Sequence, residues 1–318
     1  MSATLPIERR PLGRSELTIP RVALGCGNFG GVGSAPEWFG HGLREDEAFA
    51  LMDAAWEQGI DHFDTADAYG GGRSERMIGS WMQTRGVRPT ITTKTYNPMD
   101  AGADHGLTPE RIARQLDSSL DRLGLDQVDL YLAHDFDPDV PLAETFAAFE
   151  ELARSQRIRA YGVSNFDASQ LAAALEAGIP QAIQNEHSLL AREDEAAVLP
   201  LCEREQVAYV VFSPLAGGWL TGKYRRGEPF PAGSRMTQRP GPYAPFQTDG
   251  TFDQLERLAD AARNDGRSMA GMALAWLLAD PRVSQVVVGP NRPDQLEPVR
   301  EALKRPLSPA QREELARC

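Results

Sequence analysis

Sulfur is scarce in this chain and forms no pattern where it occurs. Cys26, Cys202 and Cys318 are widely spaced and odd in number, with neither a CxxC pair nor a metal-ligand spacing. That excludes a disulfide framework and reads as the reduced thiols of a cytosolic protein. Long apolar runs are missing too. None approaches the length of a membrane span, and Met1 to Arg10 is too polar for a signal-peptide core. A cytoplasmic location is therefore expected. Basic residues are in deficit, with 33 Lys and Arg against 45 Asp and Glu and a formal charge of −12. Such a balance argues against a nucleic-acid groove or an anionic membrane surface as partner. Any polyphosphate must then be held locally by a few Arg, Lys and backbone N–H groups. His41, His62, His105, His134 and His187 show no metal spacing, so no metal site is expected.

What is present is alternation. At 318 residues, with 42% hydrophobic and 25% charged content, the chain can bury a large core. Arg10 to Ile19 reads as a hairpin around Gly13. Strands follow at 22–24, 60–64, 90–95, 128–134, 158–163, 181–186, 207–212 and 283–288. Helical periodicity falls between them at 45–58, 75–84, 109–123, 143–154, 168–177, 193–206, 251–265, 268–279 and 293–303, the last being read as the final helix. Eight strand–helix units require parallel strands with crossover helices, and eight close into a barrel. The expected fold is α/β: a single (β/α)8 TIM barrel over 1–318, with an N-terminal β-hairpin and extra helices. An open doubly wound sheet would split into two domains at this length, and no shift in composition marks a boundary.

Gly25-Cys26-Gly27-Asn28-Phe29-Gly30 matches GxGxxG, but a dinucleotide fingerprint needs a helix to begin at those glycines. Here they run into Gly31-Val-Gly-Ser-Ala-Pro36, which cannot continue as a helix. The Rossmann reading is set aside.

Active sites of such barrels lie at the C-terminal strand ends. Those positions carry Asp64, Lys94, His134, Ser164, Asn165, Gln184, Phe212 and Ser213, with Tyr69 on the loop after the second barrel strand. A tyrosine titrates near ~10 in water and is a poor acid unless its anion is stabilised. Lys94 would supply a positive charge, Asp64 would hold Lys94 charged and oriented, and His134 would donate to a substrate oxygen. Protonating a carbonyl oxygen calls for hydride at the carbon, which no side chain delivers. A nicotinamide cofactor is the natural donor.

These stretches resemble the aldo-keto reductase family over nearly the whole chain. Phe63-Asp64-Thr65-Ala66-Asp67-Ala68-Tyr69-Gly70 with Ser74-Glu75 looks like its first motif, Thr92-Thr93-Lys94 its lysine strand, and Asp129 to His134 its histidine strand. The resemblance implies that Asp64, Tyr69, Lys94 and His134 are catalytic. It implies that Ser164, Asn165 and Gln184 hold the nicotinamide carboxamide, and that Phe212, in place of the usual Tyr, stacks on the ring. Ser213, Pro214 and Leu215 continue that stacking segment, and the stretch after them, with Gly217 and Lys223, resembles the family's loop that folds over the pyrophosphate. Gly289, Asn291, Arg292 and Gln295 match the adenosine end, with Arg292 set against a 2′-phosphate. Val299 stands where an adenine-contacting Asn is usual, so NADP(H) is expected and NAD(H) stays open.

The implied activity is reduction of an aldehyde or ketone to an alcohol, with tyrosine as general acid. The alternative is a cofactor-binding regulatory subunit of the same fold with little turnover, since the family includes channel-associated members. Trp38, Phe39, Tyr96 and Phe136 are expected to line an apolar substrate pocket, with Trp219 there or on the cofactor loop.

Overall fold

The computed structural model describes residues 7–100, 102 and 104–317, so Cys318 and the first six residues lie outside the described part. Two strands, β1 (Arg9–Pro11) and β2 (Thr18–Pro20), pair antiparallel with Arg10 opposite Ile19, as the hairpin reading requires. Eight more follow: β3 (Val22–Gly25), β4 (His62–Asp64), β5 (Thr90–Thr95), β6 (Val128–Ala133), β7 (Ile158–Ser164), β8 (Ala182–Glu186), β9 (Ala208–Phe212) and β10 (Val283–Val288). They close into a parallel barrel in the order β10-β3-β4-β5-β6-β7-β8-β9.

The two-residue period of a strand separates two cores. On β6, Leu130 and Leu132 point into the lumen, where they cluster with Ala23, Ala160, Ala182, Ala208, Val210 and Val287. Leu12 and Ile19 of the hairpin join that cluster and close the barrel floor. The alternate residues, Tyr131 and Ala133 on β6 and Phe63 on β4, pack outward against the helices. In the lumen His62 bonds Thr92 and Gln285, each at 2.8 Å, and burial lowers its pKa to about 4, so the ring is neutral.

Helix ends follow their signals. Thr108 caps Pro109–Leu123, and Asp167 with Gln170 forms a capping box at Ala168–Ala177. Two expected helices are split. Residues 193–206 form a short 3-10 turn, Glu193–Glu195, followed by a helix from Val198 to Glu205. Residues 293–303 likewise divide into Pro293–Leu296 and Glu297–Lys304. In each case a proline, Pro200 or Pro298, fits only in a first turn, which fixes where the helix starts. The final helix is Pro309–Ala316, not 293–303; Ser308 caps it in a box with Gln311. The 25–30 glycines open no helix, in line with the rejected Rossmann reading. Cys26 and Cys202 are buried free thiols.

Candidate active site

Above the His62 layer the lumen carries a second polar layer. Lys94 on β5 is fully buried, and its Nζ donates to Asp64 Oδ1 at 2.6 Å and to the Thr65 carbonyl at 2.8 Å. The other oxygen of Asp64 accepts from Gln184 Nε2 at 2.7 Å, across the barrel from β8. Burial alone would lower the Lys94 pKa, but Asp64 and Tyr69 outweigh it and raise the value, so the lysine stays charged.

Tyr69 is presented by a short turn. The Asp67 N–H donates to the Lys94 carbonyl at 3.0 Å, and Asp67 Oδ1 accepts the Ala68 N–H at 2.6 Å. Gly70, Gly71 and Gly72 follow with φ of 59°, 64° and 81°, a left-handed run that carries the chain into helix Arg73–Arg85. The Lys94 ammonium lies 5.1 Å from the Tyr69 ring centroid, and the His134 ring stands edge-on to it with centroids 5.5 Å apart. The expected four side chains therefore converge. Burial of the Tyr69 hydroxyl raises its pKa and outweighs the opposing Lys94 charge, so the phenol is protonated at neutral pH. The net shift is thus opposite to that expected from Lys94 alone. Burial and then the Lys94 charge hold His134 well below the usual histidine value, leaving a neutral ring whose Nδ1 has no partner among the described residues.

The residues expected to face a cofactor line the adjoining strand ends. Ser164 Oγ donates to the Gln184 carbonyl at 2.8 Å, and Asn165 Nδ2 donates to the His134 carbonyl at 2.8 Å. Gln184 spends its amide nitrogen on Asp64, which leaves its Oε1 as the free acceptor. Phe212 ends β9 half-buried, and Ser213 follows at φ 52°. Pro214 and Leu215 lead into the turn Ala216–Thr221, where Gly217 and Gly218 have φ of 61° and 97°. Lys223 lies close to Gly218 at the rim.

At the adenosine end the residues expected to face the cofactor bond one another or a neighbouring carboxylate. Arg292 is 66% exposed and bidentate to Asp294, at 3.0 and 3.1 Å. Gln295 Oε1 accepts the Asn291 N–H at 2.7 Å, and Asn291 Oδ1 accepts from Asn28 at 2.7 Å. Val299 is buried in the core. Arg235 reaches across to bond Asn28. Among the described residues no carboxylate stands within 4.0 Å of Lys223, Arg235 or Arg239; burial and then the Arg235 charge lower the Lys223 pKa, and burial lowers that of Arg235, opposed by Tyr243 and aided by Arg239. An uncompensated cationic trio in a chain of charge −12 fits a phosphate-bearing cofactor. Sequence reading missed Arg235, Arg239 and Asn28. The only signal of the two arginines was basic residues in a Pro- and Gly-rich stretch, and Asn28 lay inside the glycine motif set aside above.

The expected pocket aromatics are split. Phe39, from the loop after β3, packs against the Tyr69 loop, where a Cβ at Gly71 would come 3.0 Å from its Cδ2. Trp38, Tyr96 and Phe136 pack edge-on to His41, His105 and Phe166 respectively. Trp219 is fully buried among Tyr224, Phe230 and Phe252, so it belongs to packing beneath the 213–250 segment and not to the mouth. Arg111 pins the long loop after β5, donating to Thr95 Oγ1 and to the carbonyls of Gly106, Asn97 and Asp104 at 2.9–3.1 Å.

A model of the Aldo/keto reductase family matches residues 21–318. The chain belongs to the aldo-keto reductases. It is 33% identical over 311 residues to the uncharacterized oxidoreductase YrpG of Bacillus subtilis, covering 92% of this chain and 90% of the relative. It is 32% identical over 306 residues to a putative voltage-gated potassium channel subunit beta of Schizosaccharomyces pombe, covering 90% and 85% respectively. The glycerol dehydrogenase of Gluconobacter oxydans superposes with a TM-score of 0.82 at 27% identity, covering 96% of this chain and 93% of that one. As an aldo-keto reductase the chain is an oxidoreductase of small carbonyl compounds built on a TIM barrel, in a family that uses nicotinamide cofactors. No helix among the described residues is long and apolar enough to cross a membrane.

Proposed function

We propose that this aldo-keto reductase reduces an aldehyde or ketone to an alcohol with NADP(H), with Tyr69 as general acid, acting as one barrel domain in the cytoplasm. The observation that carries the reading is the fully buried Lys94 ammonium, fixed by Asp64 and Thr65 and set against the ring of Tyr69. When bound, the nicotinamide supplies the hydride. Tyr69 gives its phenolic proton to the carbonyl oxygen, and the phenolate left behind is balanced by the Lys94 charge in a low-dielectric layer. Neutral His134 donates a hydrogen bond to the same oxygen and polarises it. Asp64 keeps Lys94 charged. Ser164, Asn165 and the free oxygen of Gln184 orient the carboxamide, Phe212 offers its face to the ring, and the segment from Ser213 through Gly217 to Lys223 covers the pyrophosphate.

The preference for NADP(H) rests on the Lys223, Arg235 and Arg239 charges, which suit an extra phosphate. Consumption of NADPH and NADH, measured separately across a panel of aldehydes and ketones, tests the reading. Turnover at higher kcat/KM with NADPH is expected. Tight NADPH binding with no turnover on any carbonyl would favour the regulatory-subunit alternative.

A further inference from the structure

Asp67 is a fully buried carboxyl to which the proposed chemistry gives no part. It stands between Ala66 and Ala68, both buried as well, two residues before Tyr69. Burying a carboxyl costs stability, and its bonds show what it holds. The Asp67 N–H donates to the Lys94 carbonyl at 3.0 Å, and Asp67 Oδ1 accepts the Ala68 N–H at 2.6 Å. The bonds to the Tyr69 backbone itself are longer. Its N–H donates to the Ala66 carbonyl at 3.2 Å, and its carbonyl accepts the Ser74 N–H at 3.3 Å. Past Tyr69 come three glycines in the left-handed region, which impose little stiffness of their own. The Tyr69 ring is therefore placed from the Asp67 side.

The second oxygen of Asp67, Oδ2, has no hydrogen-bond partner among the described residues. The elements packed around it bring charge without a donor for it. Glu75, on the helix after the turn, adds a like charge and is itself bonded by Thr93 and Arg122, each at 2.6 Å. Arg111 spends Nη1 and Nη2 on Thr95 and the carbonyls of its loop, and its Nε lies 3.5 Å from Asp104. The Tyr131 phenol on β6 donates to the Ile112 carbonyl at 3.2 Å. Thr95 on β5 offers only a hydroxyl. A neutral carboxyl fits this place. A charged one leaves an oxygen without adequate solvation, and relief must come from water, which the turn admits only by opening.

We propose that Asp67 is a positioning residue for proton transfer: its neutral carboxyl keeps the turn shut and the Tyr69 hydroxyl in place, and its ionised form opens the turn and slows the chemical step. The inference rests on Tyr69 being the proton donor. Burial, followed by the Glu75 charge, raises the Asp67 pKa to about 7, a window that the reacting groups leave free. Burial raises Tyr69 and lowers His134, and Lys94 is raised against burial by Asp64.

The test follows single-turnover oxidation of bound NADPH at saturating butanal, from pH 6 to 9, in wild type, Asp67→Asn and Asp67→Ala. The wild-type rate is expected to fall about 10-fold as pH rises through about 7, the scale of a small misplacement of a reacting group. Asp67→Asn cannot ionise and still presents an oxygen to the Ala68 N–H, so its profile is expected to lack that inflection. Asp67→Ala loses the oxygen and is expected to be about 10-fold slow at every pH, with NADPH affinity and half-saturating butanal within about two-fold of wild type. If the alanine variant does not fold, the asparagine comparison carries the test. A second readout needs no turnover: with tyrosine labelled at Cζ by carbon-13, the Tyr69 resonance, assigned by its absence in Tyr69→Phe, is expected to shift through the same window in wild type and to stay put in Asp67→Asn. Superimposable rate profiles for wild type and Asp67→Asn overturn the proposal, as does an alanine variant whose NADPH affinity falls as far as its rate. Wild-type protein inert on every carbonyl would instead overturn the reductase reading, and the resonance would still decide whether Asp67 sets the turn.

Discussion

Gln184 and Lys94 share one carboxylate: Gln184 donates to Asp64 Oδ2 at 2.7 Å and Lys94 to Oδ1 at 2.6 Å. A residue on β8 is thereby tied across the lumen to the lysine that faces the Tyr69 ring. Both bonds lie in a layer that solvent does not reach, with Lys94 at 0% and Gln184 at 3% exposure. In that setting charge-assisted bonds are strong, and removing one partner leaves the others unsatisfied.

Asp64→Asn is accordingly expected to be costly twice over. It strips the buried Lys94 ammonium of its counter-charge, a change of the kind that destabilises by about 3–5 kcal/mol. It also removes what keeps Lys94 protonated, so kcat/KM for carbonyl reduction is expected to fall by ~10²-fold or more, the scale of lost electrostatic support in a dry site. Urea unfolding and steady-state rates on the same preparation check both parts. Wild-type stability would show that the ammonium is paired elsewhere.

Asp67 predicts a pH dependence of stability. Its Oδ2 is buried without a hydrogen-bond partner among the described residues, and burial, followed by the nearby Glu75 charge, raises its pKa from 3.8 to about 7, against weaker pulls from Thr95 and Arg111. The folded state thus holds a proton that the unfolded state has lost between those two values. Stability falls as pH rises through that window, by up to ~1.4 kcal/mol per pH unit, and levels off above it. Asp67→Asn keeps an oxygen for the Ala68 N–H and removes the titration. Denaturant midpoints from pH 4 to 8 should therefore converge for the two proteins at the acid end and favour the variant at pH 8. Parallel curves would contradict this.

The cationic trio makes a third prediction. Arg235→Ala is expected to weaken NADPH binding by ~10- to 100-fold, the loss of one to two charge-assisted bonds. Arg292→Ala, at a solvated ion pair, is expected to change it by less than about three-fold. Fluorescence titration of the two variants decides which arginine matters, and a larger effect at Arg292 would reverse the assignment.

Much of this arrangement was legible in the chain, for a physical reason. Strand period and strand ends are local properties, so Asp64, Lys94 and His134 could be assigned to one barrel mouth from spacing alone, and β5 and β10 were bounded as found. The Gln184–Asp64 bond was not legible, because β4 and β8 meet across the lumen and no local pattern says which lumen side chains touch. Arg235 was hidden in the Pro- and Gly-rich 213–250 segment, which has no period to read. The final helix went unread although Ser308 and Gln311 box its start and Pro309 stands at its first position. The sign of the Tyr69 shift depended on burial, a tertiary quantity.

The central claim is that Tyr69 delivers the proton. Its most direct test is Tyr69→Phe, with single-turnover oxidation of bound NADPH followed at saturating carbonyl. The phenyl ring keeps the packing against His134 and Lys94, so NADPH affinity is expected to stay within about three-fold while the rate of hydride transfer falls by ~10³-fold or more. Near wild-type turnover by this variant would contradict the account.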